Sequence, residues 1–430
     1  MSLKLIHRDS PESPLYTANL TTLERFQRDL EISKSRASYL QLLSKMRIEN
    51  ETFIPDSIRP LLTQRDALFT VDIGLGTPSS KGTFVFDTAS WLTWTQCKPC
   101  IQCFQQKYPI FDTRTSTSYK MLFRNHSLSK WFKCNDYGCD YSVKYLTGES
   151  SRGIVSMETF TIQSKNRAPE PGAKPDNFSG VGNLKRVTNE RIENVVFGCG
   201  VENSGSPIPH PLVGGFVGMD RTPTSLIRQL RSKTIQIFSY CLPPFSSRFK
   251  TSFVRFGTEA IIRREHIQIA SFLPGSTNYK VNLSGISIAG RRLQLPTGVF
   301  RDGCLIDSGT SLSLIEQEAF NVMFIAFRSH FDQYKSLTRV ALPARSLCYR
   351  ISKGFNNFPT MTFHFLGANL EVGMTTLFSR FARNTFCLEM MGHLHATILG
   401  AYQQQNFRFV YDLDNAKVAF VREDCTKDRG

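Results

Sequence analysis

The chain has 430 residues, 41% of them hydrophobic and 20% charged, which excludes a disordered protein and suits two lobes of roughly 150–200 residues plus extra segments. Its formal charge of +16 would admit nucleic acid, an anionic membrane or an acidic polymer, yet no run of five like charges and no nucleic-acid motif stands beside it, so a solvated basic surface is the simpler account. No apolar run of 18 residues occurs, so no membrane span is expected.

In chain order, residues 1–65 stand apart. They lack cysteine and hold 10 Lys/Arg against 8 Asp/Glu, so most of the positive charge belongs to the rest of the chain. Leu23, Phe26, Leu30, Tyr39, Leu42, Leu43 and Met46 recur at helical spacing, which predicts two helices between Thr21 and Ile48, with a loose start signal at Thr22 and an end at Pro55 and Pro60. From Leu68 the pattern changes to short strands broken by Gly, Pro and Ser: Phe69–Ile73, Thr83–Phe86, Val195–Phe197, Tyr279–Ile288 and Phe407–Tyr411. The stretch 164–190 lacks periodicity and reads as a surface insertion. Thr224–Arg231 and Glu316–Phe331 read as helices, and the 34 Phe residues point to a large core and an apolar cleft. The fold class is mostly β.

Five of the eleven cysteines lie between Cys97 and Cys139, a density that favours disulfides over metal, because Cys134 and Cys139 complete no zinc-ligand spacing with Cys97, Cys100 and Cys103. Sequons at Asn19, Asn50, Asn125, Asn177 and Asn282 fit an exported glycoprotein. The start, Met-Ser-Leu-Lys-Leu-Ile-His-Arg, has no apolar stretch of a signal peptide; the expectation is that this signal lies upstream of the sequence and that the protein is secreted, to the apoplast or the vacuole.

The chemistry lies in a weak internal repeat. Val85-Phe86-Asp87-Thr88-Ala89-Ser90 is echoed by Leu305-Ile306-Asp307-Ser308-Gly309-Thr310, and each copy is followed far downstream by two apolar residues and Gly: Phe216-Val217-Gly218 and Ile398-Leu399-Gly400. An Asp at the end of a buried strand must have its oxygens hydrogen-bonded or lose several kcal/mol. Flanking hydroxyls supply donors, and a tiny residue two places on lets backbone N–H groups approach. Two such turns related by a pseudo-two-fold axis would set two carboxylates about 3 Å apart, sharing one proton. One could then take a proton from a water while the other protonates a scissile carbonyl. A single Asp-Thr or Asp-Ser-Gly is an ordinary β-turn cap; two copies with matching downstream glycines are not.

On these motifs the chain resembles the pepsin family of aspartic proteases, and within it the plant nepenthesin-like branch. Further landmarks carry the resemblance: Leu5-Ile6-His7-Arg8-Asp9-Ser10-Pro11, which is similar to the branch's prosegment; Trp91–Cys103; Phe197-Gly198-Cys199-Gly200; Phe238-Ser239-Tyr240-Cys241; and Gln403-Gln404-Gln405-Asn406. The resemblance implies a bilobal pepsin-like fold with a central cleft, divided into a prosegment over 1–66, a first lobe over 67–245 and a second over 246–430. It implies an acid-activated endopeptidase acting on proteins or peptides as a monomer, with no cofactor, metal or nucleic acid. Asp87 and Asp307 would be the catalytic pair, Thr88 and Ser308 the cross-braces, Ser90 and Thr310 the orienting hydroxyls, supported by Gly309, Gly218 and Gly400. Tyr145 would be the flap tyrosine and Trp94 the family's conserved tryptophan, both among the flap and substrate-binding residues. The implied disulfides are Cys97–Cys100, Cys103–Cys199, Cys241–Cys425 and Cys348–Cys387, with Cys134 and Cys139 left to pair with each other and Cys304 free.

Two departures from the family pattern bear on activity: Ala89 where Gly is usual, and Tyr145-Leu146-Thr147-Gly148-Glu149 where the branch has Tyr-Gly-Asp-Gly-Ser. The competing class is a weak or inactive protease-fold binding protein similar to plant xylanase inhibitors. Retention of both Asp residues and both hydroxyl partners favours the enzyme.

Overall fold

The computed structural model describes residues 2–7, scattered positions between 10 and 37, and 69–428 except for 107, 145–149, 166–186, 205–212, 246, 248–250, 263, 343–346, 352–353 and 383. The architecture is mostly β. One large sheet runs through the strands Gln268–Ser271, Lys417–Arg422, Phe407–Asp412, Ile237–Cys241, Thr251–Phe256, Ser2–His7, Phe69–Leu75, Ser80–Asp87 and Gly215–Gly218, and then outward to Lys133–Asn135. Three smaller sheets belong to the second half of the chain. Ile237–Cys241 pairs both with Thr251–Phe256 and with Phe407–Asp412, so the large sheet joins the two halves.

The sequence repeat is reproduced in strand register. Ser80–Asp87 lies parallel to Gly215–Gly218, with Asp87 opposite Gly218, and Phe216 faces Trp94 on a third, antiparallel strand. In the second half Cys304–Ile306 lies parallel to Thr397–Leu399, and Ile398 faces Leu314 on an antiparallel strand. Trp94 and Leu314 each stand seven residues beyond their Asp. Phe84, Val85 and Phe86 are all buried, as the continuous apolar run of a strand covered on both faces requires.

The expected helix over Glu316–Phe331 forms as Gln317–Asp332, capped by the Glu316 carboxylate, which accepts from the backbone N–H groups of Glu318 and Ala319. Its Phe327 and Phe331 pack against Phe378 and Phe386, with ring centroids 5.0–5.7 Å apart. Many of the Phe residues thus fill the core of the second half. The helix expected over Thr224–Arg231 shortens to Leu226–Gln229 followed by a 3-10 turn, Leu230–Ser232.

Three expectations need correction. The strand expected over Tyr279–Ile288 divides into Lys280–Val281 and Leu283–Ile288, which join different sheets. The aperiodic stretch 164–190 is partly strand: Ser150–Lys165 and Val187–Ser204 form a long hairpin whose pairing reaches Lys165 and Val187. The disulfides are Cys97–Cys199 and Cys100–Cys103 rather than Cys97–Cys100 and Cys103–Cys199; the other three pairs are as expected. Cys97 lies in the extended strand Trp94–Lys98, which cannot fold back on Cys100, and that strand runs parallel beside Cys199 with both cysteines buried.

Of the N-terminal segment, Ser2–His7 is a full strand of the large sheet, paired over five residues with Thr251–Phe256 and over two with Phe69–Leu75. Glu24, Arg25, 27–30, Ser33, Lys34 and Ala37 are helical. The start is at Thr21, not Thr22. Glu24 N–H donates to Thr21 Oγ1 at 3.3 Å and Thr21 N–H to the Glu24 carboxylate at 2.8 Å, a reciprocal capping box. The remainder of the expected helical stretch, 38–48, lies outside the described residues.

Candidate active site: two carboxylates on duplicated turns

Asp87 and Asp307 end their buried strands with no exposed surface. Each carboxylate is held by the same two donors. At Asp87, Ala89 N–H reaches Oδ1 at 2.9 Å and the Ser90 hydroxyl reaches Oδ2 at 2.5 Å. At Asp307, Gly309 N–H reaches Oδ1 at 2.8 Å and the Thr310 hydroxyl reaches Oδ2 at 2.6 Å. The turns brace each other reciprocally: Ser308 N–H donates to Thr88 Oγ1 at 2.9 Å and Thr88 N–H to Ser308 Oγ at 3.3 Å. The place a Cβ on Gly309 would take lies 2.7 Å from Asp87 Oδ1 and 3.1 Å from Asp307 Oδ1, so the inner oxygens of the two carboxylates converge on the same small volume.

The downstream glycines serve close approach. A Cβ on Gly218 would sit 2.7–2.8 Å from the Leu92 backbone, and one on Gly400 the same distance from Leu312. Neither glycine has positive φ; sterics alone demand them. Ala89 also avoids positive φ, so its methyl carries no backbone penalty. It keeps the N–H that serves Asp87, and it packs in a cluster with Leu92 and Trp94.

Trp94, expected among the flap and substrate-binding residues, is wholly buried and stacks on Phe216 at 5.6 Å. It backs the Asp87 turn from inside the lobe. Tyr145 and Leu146 lie outside the described residues. Cys304 is the one free thiol among the described cysteines; burial pushes its pKa up to about 12, so it stays protonated and inert. A surface pocket of about 430 Å³, lined among others by Leu283, Arg292, Leu295, Phe300 and Arg301, includes no residue of the Asp87 or Asp307 turn. No cluster of His, Cys, Asp and Glu among the described residues could hold a metal.

Residues beyond those expected also reach the site. Ser33 Oγ accepts the Leu312 N–H at 2.7 Å, and Leu30 packs with Leu312 and Tyr402. Ala37 joins the cluster of Ala89, Leu92 and Trp94. Arg28, fully buried, contacts the Asp29 carboxylate at 3.0 Å. The helical periodicity of the segment was visible in sequence, but its docking place was not. Asn278 and Tyr279 also reach the Asp87 turn and the strand that leads into Asp307, and carried no sequence signal of that role.

A two-lobed β fold with a carboxylate pair on duplicated turns defines the architecture of the acid hydrolases that use two aspartates. Comparison with known proteins agrees. The family described as "Xylanase inhibitor N-terminal" matches residues 69–258, and "Xylanase inhibitor C-terminal" matches 278–422. An Arabidopsis thaliana aspartyl protease family protein is 32% identical over 83% of this chain and 72% of its own length. Aspartic proteinase nepenthesin-2 of Nepenthes gracilis is 29% identical over 84% and 78%. Among solved structures, the basic 7S globulin from soybean superposes with a TM-score of 0.65 at 16% identity, over 85% of this chain and 96% of that one, and conglutin gamma from lupine seeds with 0.63 at 17%, over 82% and 91%. These two likenesses speak to the fold alone. The chain belongs to the plant pepsin-like aspartic protease family.

The methyl at Ala89 leaves every hydrogen bond of the Asp87 turn in place, so its effect is confined to small displacements. For a chain that hydrolyses peptides, Ala89→Gly is expected to raise kcat by up to about tenfold with little change in KM, since shifts well under 1 Å suffice for that. Steady-state kinetics of the two proteins check this; equal kcat would show the methyl to be neutral.

Proposed function

We propose that the protein is an aspartic endopeptidase that hydrolyses peptide bonds by general acid–base activation of a water between Asp87 and Asp307. With one proton on the pair, the ionised carboxylate takes a proton from the water as its oxygen attacks the scissile carbonyl carbon. The protonated carboxyl gives its proton to the carbonyl oxygen. The gem-diol then collapses: one hydroxyl returns its proton to a carboxylate, and the amide nitrogen leaves protonated by the other. The observation that carries this reading is the identical pair of donors on each carboxylate, joined by reciprocal Thr88–Ser308 bonds. Preorganised donors of this kind fix the reacting groups before substrate arrives.

We further propose that the N-terminal segment is an inhibitory prosegment. Its helical part occupies the Leu312 N–H through Ser33 and the apolar surface of Leu312 and Tyr402 through Leu30, immediately beyond the Asp307 turn. Five disulfides suit an oxidising compartment, so secretion to the apoplast or vacuole is the proposed setting. Asn125 and Asn282 are exposed sequons, open to glycosylation.

A second reading, a protein that binds other enzymes without cleaving them, is favoured by the match to the xylanase inhibitor families. Acid treatment separates the two. The full chain, brought to about pH 3–5, is expected to lose the segment by cleavage near Thr63–Phe69 and then to digest an unfolded protein. N-terminal sequencing and product analysis check both steps. An active enzyme that still begins at residue 1 would overturn the prosegment reading, and an inert chain would support the binding protein.

A further inference from the structure

The chain entering the second half, residues 276–279, bonds to the Asp87 turn and to the strand that leads into Asp307. Tyr279 is fully buried, and its hydroxyl donates to the backbone carbonyl of Met219 at 2.5 Å. Met219 in turn donates its N–H to the carbonyl of Asp87 at 3.0 Å. The backbone carbonyl of the same Tyr279 accepts the N–H of Ile306, the residue before Asp307, at 3.0 Å. One residue therefore spans from the strand paired with Asp87 to the strand that carries Asp307. Its neighbour adds a second tie, because the Asn278 amide donates to the carbonyl of Ala89 at 3.3 Å, within the Asp87 turn itself. Behind it, Thr277 and Ser276 present carbonyls to the Arg221 N–H and guanidinium, at 2.9 and 2.7 Å.

We propose that Asn278 and Tyr279 form an interlobe clamp that sets the distance between the Asp87 and Asp307 carboxylates. Both are positioning residues, acting through Ala89, Met219 and Ile306 rather than on substrate. The Thr88–Ser308 bonds join the two turns directly, whereas the clamp reaches them from the segment behind, through Ala89, Met219 and Ile306. Two joints at different places fix an angle as well as a separation. The Tyr279 ring is held independently of its hydroxyl, with Tyr411 at 4.5 Å and Phe272 at 5.2 Å, so the phenol is a strut of fixed length. Burial raises its pKa well above the ordinary value, with the Asp220 charge adding to the effect, so the hydroxyl remains a donor throughout the acid range.

This inference rests on the proposed activity, and its test separates the two. Tyr279→Phe keeps the ring and removes the hydroxyl. It is expected to reduce kcat about tenfold with KM unchanged. It should also bring the two apparent titration steps of the carboxylate pair measurably closer together, because carboxylates farther apart repel less. The steps are read by 13C NMR of Asp-labelled full chain, assigned by difference from Asp87→Asn and Asp307→Asn, and need no turnover. Asn278→Ala should move both readouts in the same direction by less. Tyr349→Phe, which removes a hydroxyl bonded to Asp332 on the far helix, controls for general loosening and should leave the titration gap unchanged. A narrowed gap in Tyr279→Phe beside a wild type that proves inert would sink the activity while supporting the clamp. An active wild type whose Tyr279→Phe form keeps both kcat and the gap would overturn the clamp, as would an equal narrowing in Tyr349→Phe.

Discussion

Asp87→Asn and Asp307→Asn are each expected to reduce peptide hydrolysis to no more than a few percent of the wild type, a loss on the order of 10²–10⁴-fold in kcat. The reaction asks one carboxyl to be base while the other is acid, and an amide can be neither at these pH values. The fold should survive the change. Asn retains an oxygen for the N–H of Ala89 or Gly309, and the backbone bonds Met219 N–H to Asp87 carbonyl and Asp307 N–H to Leu399 carbonyl do not involve the side chain. Circular dichroism and thermal melting should therefore match the wild type while turnover disappears. Substantial activity in either folded variant would place the chemistry elsewhere.

Gly309→Ala is the second large effect, and it contrasts with the tolerated methyl at Ala89. A Cβ on Gly309 would lie 2.7 Å from Asp87 Oδ1 and 2.9 Å from its Cγ, well inside contact distance. Asp87 is held from its other side by Ala89 N–H and Ser90, so it cannot withdraw without losing those bonds. A displacement of about 1 Å in a catalytic group is enough for a hundredfold loss, and kcat should fall by at least about that factor. Overpacking should also lower stability by about 1–3 kcal/mol. Kinetics and melting of the purified variant check both, and a Gly309→Ala enzyme with near wild-type kcat would show that the two turns stand farther apart than the geometry indicates. The pseudo-two-fold relation is therefore broken at this pair of positions: one turn accommodates a methyl, the other does not.

Much of this site was legible because the repeat is local. An Asp flanked by two hydroxyl residues and a small residue states its own hydrogen-bond needs, and two copies with distant glycines state that they are paired. The reciprocal Thr88–Ser308 bonds and the need for Gly218 and Gly400 follow from that pattern. What could not be read depends on which strands become neighbours. The pairing of Cys97 with Cys199 is decided by a parallel register between strands about 100 residues apart, and no spacing along the chain encodes it. Tyr279 looked like one more residue of a strand, yet its hydroxyl meets a carbonyl sixty residues away. The docking of Leu30 and Ser33 against Leu312 is likewise a tertiary fact. Thr21 was a nearer miss: the capping box with Glu24 spans four residues and was present in the sequence.

The most direct test of the account is acid proteolysis by the full chain and by Asp87→Asn, run side by side. Each is incubated with denatured globin at about pH 3–5, with and without pepstatin, and the products are resolved by mass spectrometry. The account predicts internal cleavage of globin by the wild type, suppressed by pepstatin and absent from Asp87→Asn. Intact globin with the wild-type chain, after its N-terminal segment has been removed, would contradict it, as would cleavage that persists in the folded Asp87→Asn protein.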